Sequence, residues 1–147
     1  MRIYLDSCAP IRLFDDQSQP RVRTESEAVE SFLRFYIQGR VEWLTSEVLD
    51  AELLKDRDEE RRERALRLSS HATEKIILNE KSFRRAADLE RFGYGAFDAM
   101  HLAAAEQAGV DRLLTTDDRF IRQAGRALGN PTVAVRNPVN WVKEFKP

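Results

Sequence analysis

Four acidic residues lie against or within apolar segments of the chain. Asp6 closes the run Arg2-Ile3-Tyr4-Leu5, Asp117 closes Leu113-Leu114-Thr115-Thr116, and Glu52 and Asp98 fall inside two apolar stretches of helical character. A carboxylate taken out of water without a partner is costly on the scale of a small domain's whole stability margin. Four such placements point to a shared ligand, and an all-oxygen donor set suits a hard divalent cation, Mg²⁺ or Mn²⁺, better than zinc. Carboxylates packed together repel one another and hold protons more tightly unless a cation neutralises them, so metal binding is expected to organise the site. Such an ion can position a water, lower its pKa and stabilise charge on a phosphodiester under attack.

The elements that must carry these acids alternate between strand and helix. Strand character appears at 2–6, 41–45, 74–78, 112–116 and 132–135, and helical character near 24–38, 46–56, 58–70, 80–92, 96–108, 118–128 and 138–145. Thr24, Ser46, Asp118 and Asn137 are placed to cap helices, with Pro138 in the first turn after Asn137. Gly39, Gly109 and Gly129 follow three of the helices, as left-handed C-terminal residues do. This order predicts an α/β domain with a mainly parallel sheet covered on both faces. The polar segment 15–23 has no periodicity and reads as an exposed loop, and neither an internal repeat nor a low-complexity tract is visible.

In an open parallel sheet, ligands bind outside the carboxyl ends of the strands. Asp6 and Asp117 both fall at such ends, so they can converge although they are distant in sequence; either one alone could equally cap the turn that follows. Glu52 is selected by helical geometry. With 100° per residue, Val48, Leu49 and Leu53 define one face and Glu52 projects from its middle, whereas Glu47 and Asp50 point away. Leu54 falls on the far side, toward a second layer or a partner. Asp56 shares the face of Glu52 one turn on, as an auxiliary acid or a surface residue. Asp98 lies in the first turn of a helix that is apolar nearly all round, where the helix dipole and free amides favour a carboxylate. His101, three residues on, is placed to bond Asp98 or a neighbouring helix rather than to ligate a metal. Cys8 lacks a convincing histidine partner and reads as a core thiol rather than a nucleophile.

Composition bounds the rest. The chain of 147 residues suits one domain, 1–147, with a core that needs no disulfide. A single cysteine, no leader-like N-terminus and no long apolar run together predict a soluble cytoplasmic protein without a membrane span. At a net charge of -1 the chain as a whole has no basic pull toward nucleic acid. Of 24 Lys plus Arg only five are lysine; arginine suits both phosphate and helix-surface ion pairs, and near-equal acids and bases favour the pairs. Arg119, Arg122 and Arg126, close to Asp117, are candidates for phosphate contact or for such pairs.

Taken in order, Tyr4-Leu5-Asp6-Ser7, Ser46 followed by Glu52, Asp98-Ala99-Met100-His101-Leu102-Ala103-Ala104-Ala105 and Leu113-Leu114-Thr115-Thr116-Asp117-Asp118-Arg119-Phe120 resemble the PIN domain. More narrowly they are similar to a VapC-type toxin nuclease of a toxin–antitoxin pair, from Met1 to about Phe145. The resemblance implies a three-layer α/β/α sandwich around a parallel sheet. It also implies that Asp6, Glu52, Asp98 and Asp117 bind Mg²⁺ or Mn²⁺, with the Thr115 hydroxyl steadying the site or a metal-bound water. Implied besides are an RNA substrate cut to 5′-phosphate and 3′-hydroxyl ends, a cognate antitoxin partner and a homodimer. Family members commonly carry Asn two positions after the first Asp, where this chain has Cys8, and loop 15–23 is longer than in the shortest members. The polar face around Leu54 or the helix near 58–70 is a candidate antitoxin contact.

Two other classes stay open. One is a non-catalytic PIN fold that binds RNA or protein. The other is a phosphotransfer module, although Asp6-Ser7-Cys8 lacks the second Asp of a haloacid-dehalogenase-like phosphatase, and 41–45 ends in Thr where a receiver domain needs a phosphoacceptor Asp.

Overall fold

A computed structural model describes residues 1–145 of the chain. Five strands form one all-parallel sheet: β1 (Arg2–Leu5), β2 (Glu42–Ser46), β3 (Glu74–Ile76), β4 (Arg112–Leu114) and β5 (Ala134–Arg136), in the order β3-β2-β1-β4-β5. The chain builds outward from β1 on one side and then returns to lay β4 on the other. The switch in strand direction of travel therefore falls between β1 and β4, where a parallel sheet opens a crevice at its carboxyl edge.

Strand periodicity assigns each face its layer. Tyr4, Leu44, Ile76, Leu113 and Val135 pack with Leu89, Leu102 and Phe120 on one side, where helices α5 (Glu80–Arg91), α6 (Ala96–Ala108) and α7 (Asp118–Gly125) lie. Ile3, Leu5 and Trp43 pack with Phe32 of α2 (Pro20–Ile37) and Trp141 of α8 (Pro138–Phe145) on the other. Helices α1 (Cys8–Arg12), α3 (Glu47–Leu53) and α4 (Glu59–Ser69) close a third cluster around Leu49, Leu53 and Ala65. The predicted three-layer α/β/α sandwich is the observed one. Ala99, Ala103, Ala104 and Ala105 of α6 are all buried, beside the equally buried His101 and Leu102. Among the described residues no helix is long and apolar enough to cross a membrane.

All five predicted strands and all seven predicted helices are present, with shifted ends. Helix α2 starts at Pro20 rather than 24, because proline fits the first helical position, so Thr24 is interior and its hydroxyl donates to the Pro20 carbonyl at 2.9 Å. The loop expected over 15–23 therefore ends at Gln19, and Val22 is buried. Asp117, not Asp118, caps α7. Ser46 and Asn137 accept backbone amides from Val48 and Val139 as predicted. Gly39 and Gly109 take left-handed φ after α2 and α6; Gly129 does so too, but α7 has already ended at Gly125. Helix α1, five residues including Pro10, gave no periodic signal.

One buried acid fastens the α2 side of the sandwich. Glu25, 3% exposed, accepts from Arg12 Nε at 2.9 Å, from Arg21 Nε and Nη2 at 3.4 Å, and from Asn137 Nδ2 at 2.6 Å. Arg21 continues to both oxygens of Asp118 at 2.8 Å and to the Thr116 carbonyl at 3.1 Å. Replacing Glu25 with Ala leaves two guanidinium groups without their shared acceptor, although both keep some access to water. We expect a loss of about 2–3 kcal/mol, read as a lower urea midpoint with an unchanged slope.

Candidate functional site

Each predicted acid is delivered to the carboxyl edge of the sheet by a different element. Asp6 follows β1 directly and is 1% exposed; its amide donates to the Leu114 carbonyl at 3.2 Å, which ties the start of the site to β4. Its Oδ1 accepts the Cys8 amide at 3.1 Å, so Asp6 does hold the turn into α1, as a capping role requires. Asp117 follows β4, is half-buried and caps α7 by accepting the Arg119 and Phe120 amides on Oδ1 at 2.9 and 3.2 Å. Asp98 sits half-buried in the first turn of α6, and Glu52 on the inward face of α3.

The four acids act on one another through their charge. Burial first, then Glu52 and Asp98, raise the proton affinity of Asp6 well above the ordinary carboxylate range, while bonds from the Thr115 hydroxyl and the Cys8 amide oppose that rise. Burial, Asp117 and Glu52 push Asp98 up to about 7, against a smaller opposing pull from Arg119. The Cys8 thiol is raised by Asp6, by burial and by the other three acids, which is the reverse of what an activated nucleophile needs. Thr115 lies beside these acids: it is fully buried, donates toward Asp6 and accepts the Asp117 amide on Oγ1 at 3.1 Å.

Glu52 differs from its neighbours. Its Oε1 accepts from the Ser7 hydroxyl and stands 2.9 Å from His101 Nε2. Burial raises its proton affinity, yet the His101 and Ser7 bonds outweigh that, and the group lies below its ordinary range. Glu47 and Asp50 do point away, the first accepting the Leu78 amide at 3.3 Å and the second pairing with Lys75. Asp56 stands outside the group, bonded to Arg61 at 2.8 and 2.9 Å. Leu54 is 67% exposed, as its helical phase requires.

The sequence did not single out Ser7 and Tyr4, and it directed His101 toward Asp98 or a neighbouring helix. His101 reaches Glu52 on α3 and the Tyr4 hydroxyl on β1. Tyr4 carried a faint signal, since it shares a strand face with Asp6 by the two-residue period. Ser7 carried none, because Glu52 is remote in the chain. Arg119, Arg122 and Arg126 are exposed and, among the described residues, make no ion pair, whereas Arg12, Arg21, Arg61 and Arg85 are consumed in pairs.

Among the described residues no three His, Cys, Asp or Glu side chains stand at the spacing that would hold an ion without adjustment. The donors are nevertheless of the right kind. Asp6 is fully buried and accepts from a hydroxyl and an amide; among the described residues no Lys or Arg pairs with it, and its strongest charged neighbours are acids. A hard divalent cation is the group that would relieve that repulsion.

Comparison with known proteins gives a consistent picture. The PIN domain family model matches residues 3–126. The chain is 33% identical over 137 residues to Ribonuclease VapC46 of Mycobacterium tuberculosis, covering 90% of this chain and 96% of that protein. Among solved structures it is similar to VapBC2 from Rickettsia felis bound to a DNA fragment from their promoter (TM-score 0.62, 15% identity, 93% of this chain and 98% of that one). It is also similar to VapBC-1 from nontypeable Haemophilus influenzae (TM-score 0.59, 18% identity, 94% and 98%).

The raised Asp98 fixes the sign of a pH dependence. Between the unfolded aspartate pKa, about 3.9, and the folded value the native state binds the extra proton, so stability is greatest below that window and falls as pH rises toward about 7. In chelator-treated protein the urea midpoint should drop across this range, and Asp98→Asn should flatten the drop.

Proposed function

The chain belongs to the PIN-domain family, and on that premise we propose that it is a divalent-metal-dependent endoribonuclease, the toxin of a type II toxin–antitoxin pair. The observation that carries the proposal is Asp6: a fully buried carboxylate at the strand-order switch, with further acids around it and, among the described residues, no cationic partner. In this reading Asp6, Glu52, Asp98 and Asp117 hold Mg²⁺ or Mn²⁺. The ion, when bound, supplies a water of lowered pKa and stabilises charge on the phosphodiester.

The remaining chemistry belongs to the chain's own residues. Thr115 favours the ionised form of Asp6 through its hydroxyl, against the larger effect of burial, and also holds the Asp117 backbone. Asp117 keeps Oδ2 available because its capping bonds fall on Oδ1. Arg119 lies close enough to influence Asp98, and with Arg122 and Arg126 offers uncommitted positive charge on α7 for RNA phosphates beside the acids. That local arrangement answers the net charge of -1: the pull toward a polyanion comes from one helix, not from the molecule as a whole.

The likeness to VapBC-1 and VapBC2 and the relation to Ribonuclease VapC46 support an antitoxin as the protein partner. The exposed Leu54, on the helix that carries Glu52, would place such a partner beside the acidic cleft.

The test is cleavage of a mixed RNA pool with Mn²⁺, followed by end analysis of the products. Asp6→Asn and Asp98→Asn should each reduce cleavage by more than the about 10–100-fold that loss of an outer-shell partner costs at a metal site, and chelator should abolish it. Equal activity in wild type and both variants would overturn the assignment.

A further inference from the structure

Asp6 and Asp117 are fixed by backbone amides of the turns that follow them, whereas Glu52 is fixed by side chains from β1's extension and α6. His101, 0% exposed in the middle of α6, has both ring nitrogens engaged: Nδ1 lies 2.5 Å from the Tyr4 hydroxyl and Nε2 lies 2.9 Å from Glu52 Oε1. The Tyr4 hydroxyl lies 2.7 Å from Ser46 Oγ, which accepts the Val48 amide at 3.1 Å.

Donor and acceptor counting gives this chain one direction. An ionised carboxylate only accepts, so Nε2 carries the hydrogen, and Nδ1 of a neutral imidazole must then accept. Tyr4 donates its one hydrogen to Nδ1, so in the Tyr4–Ser46 bond the Ser46 hydroxyl is the donor; Ser46 Oγ also accepts the Val48 amide. Ser7 donates to the same Oε1 that receives His101. With two donors on Oε1, Oε2 is the oxygen left for a cation.

We propose that His101, locked by Tyr4 and Ser46, is the positioning residue that presents Oε2 of Glu52 to the metal; this rests on the reading of Glu52 as a ligand given above. His101 is not itself a ligand in this arrangement, because neither nitrogen has a free lone pair. Partners of this kind commonly hold metal-bound histidines; here the order is inverted, and a histidine holds a carboxylate.

Two substitutions separate this role from packing. His101→Asn reaches Tyr4 from the Nδ1 position but is too short for Glu52, and His101→Gln restores an amide donor at the Nε2 position. Manganese binding by calorimetry should weaken about 10–100-fold in the Asn variant and stay within about threefold of wild type in the Gln variant, with Tyr4→Phe between them. The KM for RNA should be unchanged while kcat at limiting Mn²⁺ follows the affinity. Independently, long-range ¹⁵N–¹H spectra of the metal-free protein should show His101 as the neutral Nε2–H tautomer, with His71, the other histidine, assigned by its own substitution.

Equal Mn²⁺ affinity in the Asn and Gln variants, or an Nδ1–H tautomer, overturns the positioning role while the metal reading stands. A wild-type protein that binds no Mn²⁺ overturns the metal reading, and the positioning role with it.

Discussion

Repulsion among carboxylates is the constraint around which this molecule is arranged. Asp6, Glu52, Asp98 and Asp117 stand within reach of one another's charge, and two of them hold protons far more tightly than a solvated acid does. The repulsion within that group opposes folding. What keeps it in place is the α/β scaffold: a sheet buried on both faces, with the first and fourth strands side by side so that two acids leave from adjacent strand ends. The destabilisation is local, and the surrounding hydrophobic layers over-determine the positions that carry it.

The scaffold answers the repulsion by giving each acid a fixed donor where one is available. Asp6 and Asp117 take amides, Glu52 takes a hydroxyl and an imidazole, and Thr115 bridges the strand-end pair. Asp98 receives no comparable bond in the described structure and rises to about 7, while Asp6 rises in spite of its donors because it is more deeply buried. His101 of α6 touches Tyr4 on a strand and Glu52 on another helix at once.

Much of this is readable from residue type and spacing. Alternation of strand and helix, with acids at two strand ends, is enough to predict the sheet and the edge from which those acids leave, because period and topology are local or follow general rules. Helical phase separates Glu52 from Glu47 and Asp50 without any tertiary knowledge. The start of α2 and the capping residue of α7 went astray for local reasons: a proline accepted at the first helical position, and two consecutive aspartates competing for one cap. The Ser7–Glu52 bond, the Tyr4–His101 contact and the clamp on Glu25 are of another kind. They join residues far apart in the chain through side-chain geometry, and no pattern along a single sequence encodes that distance.

The double duty of Asp117 has a dynamic consequence. The same carboxylate that belongs to the acidic group also supplies the bonds that start α7, so the helix cannot fray at its first turn while the acid stays in place. Local opening of α7 and loss of the fourth acid are one motion, and the exposed arginines of that helix move with it. The site's anion and its neighbouring cations are thus mechanically geared: whatever steadies the Arg119 and Phe120 amides steadies the whole charged rim.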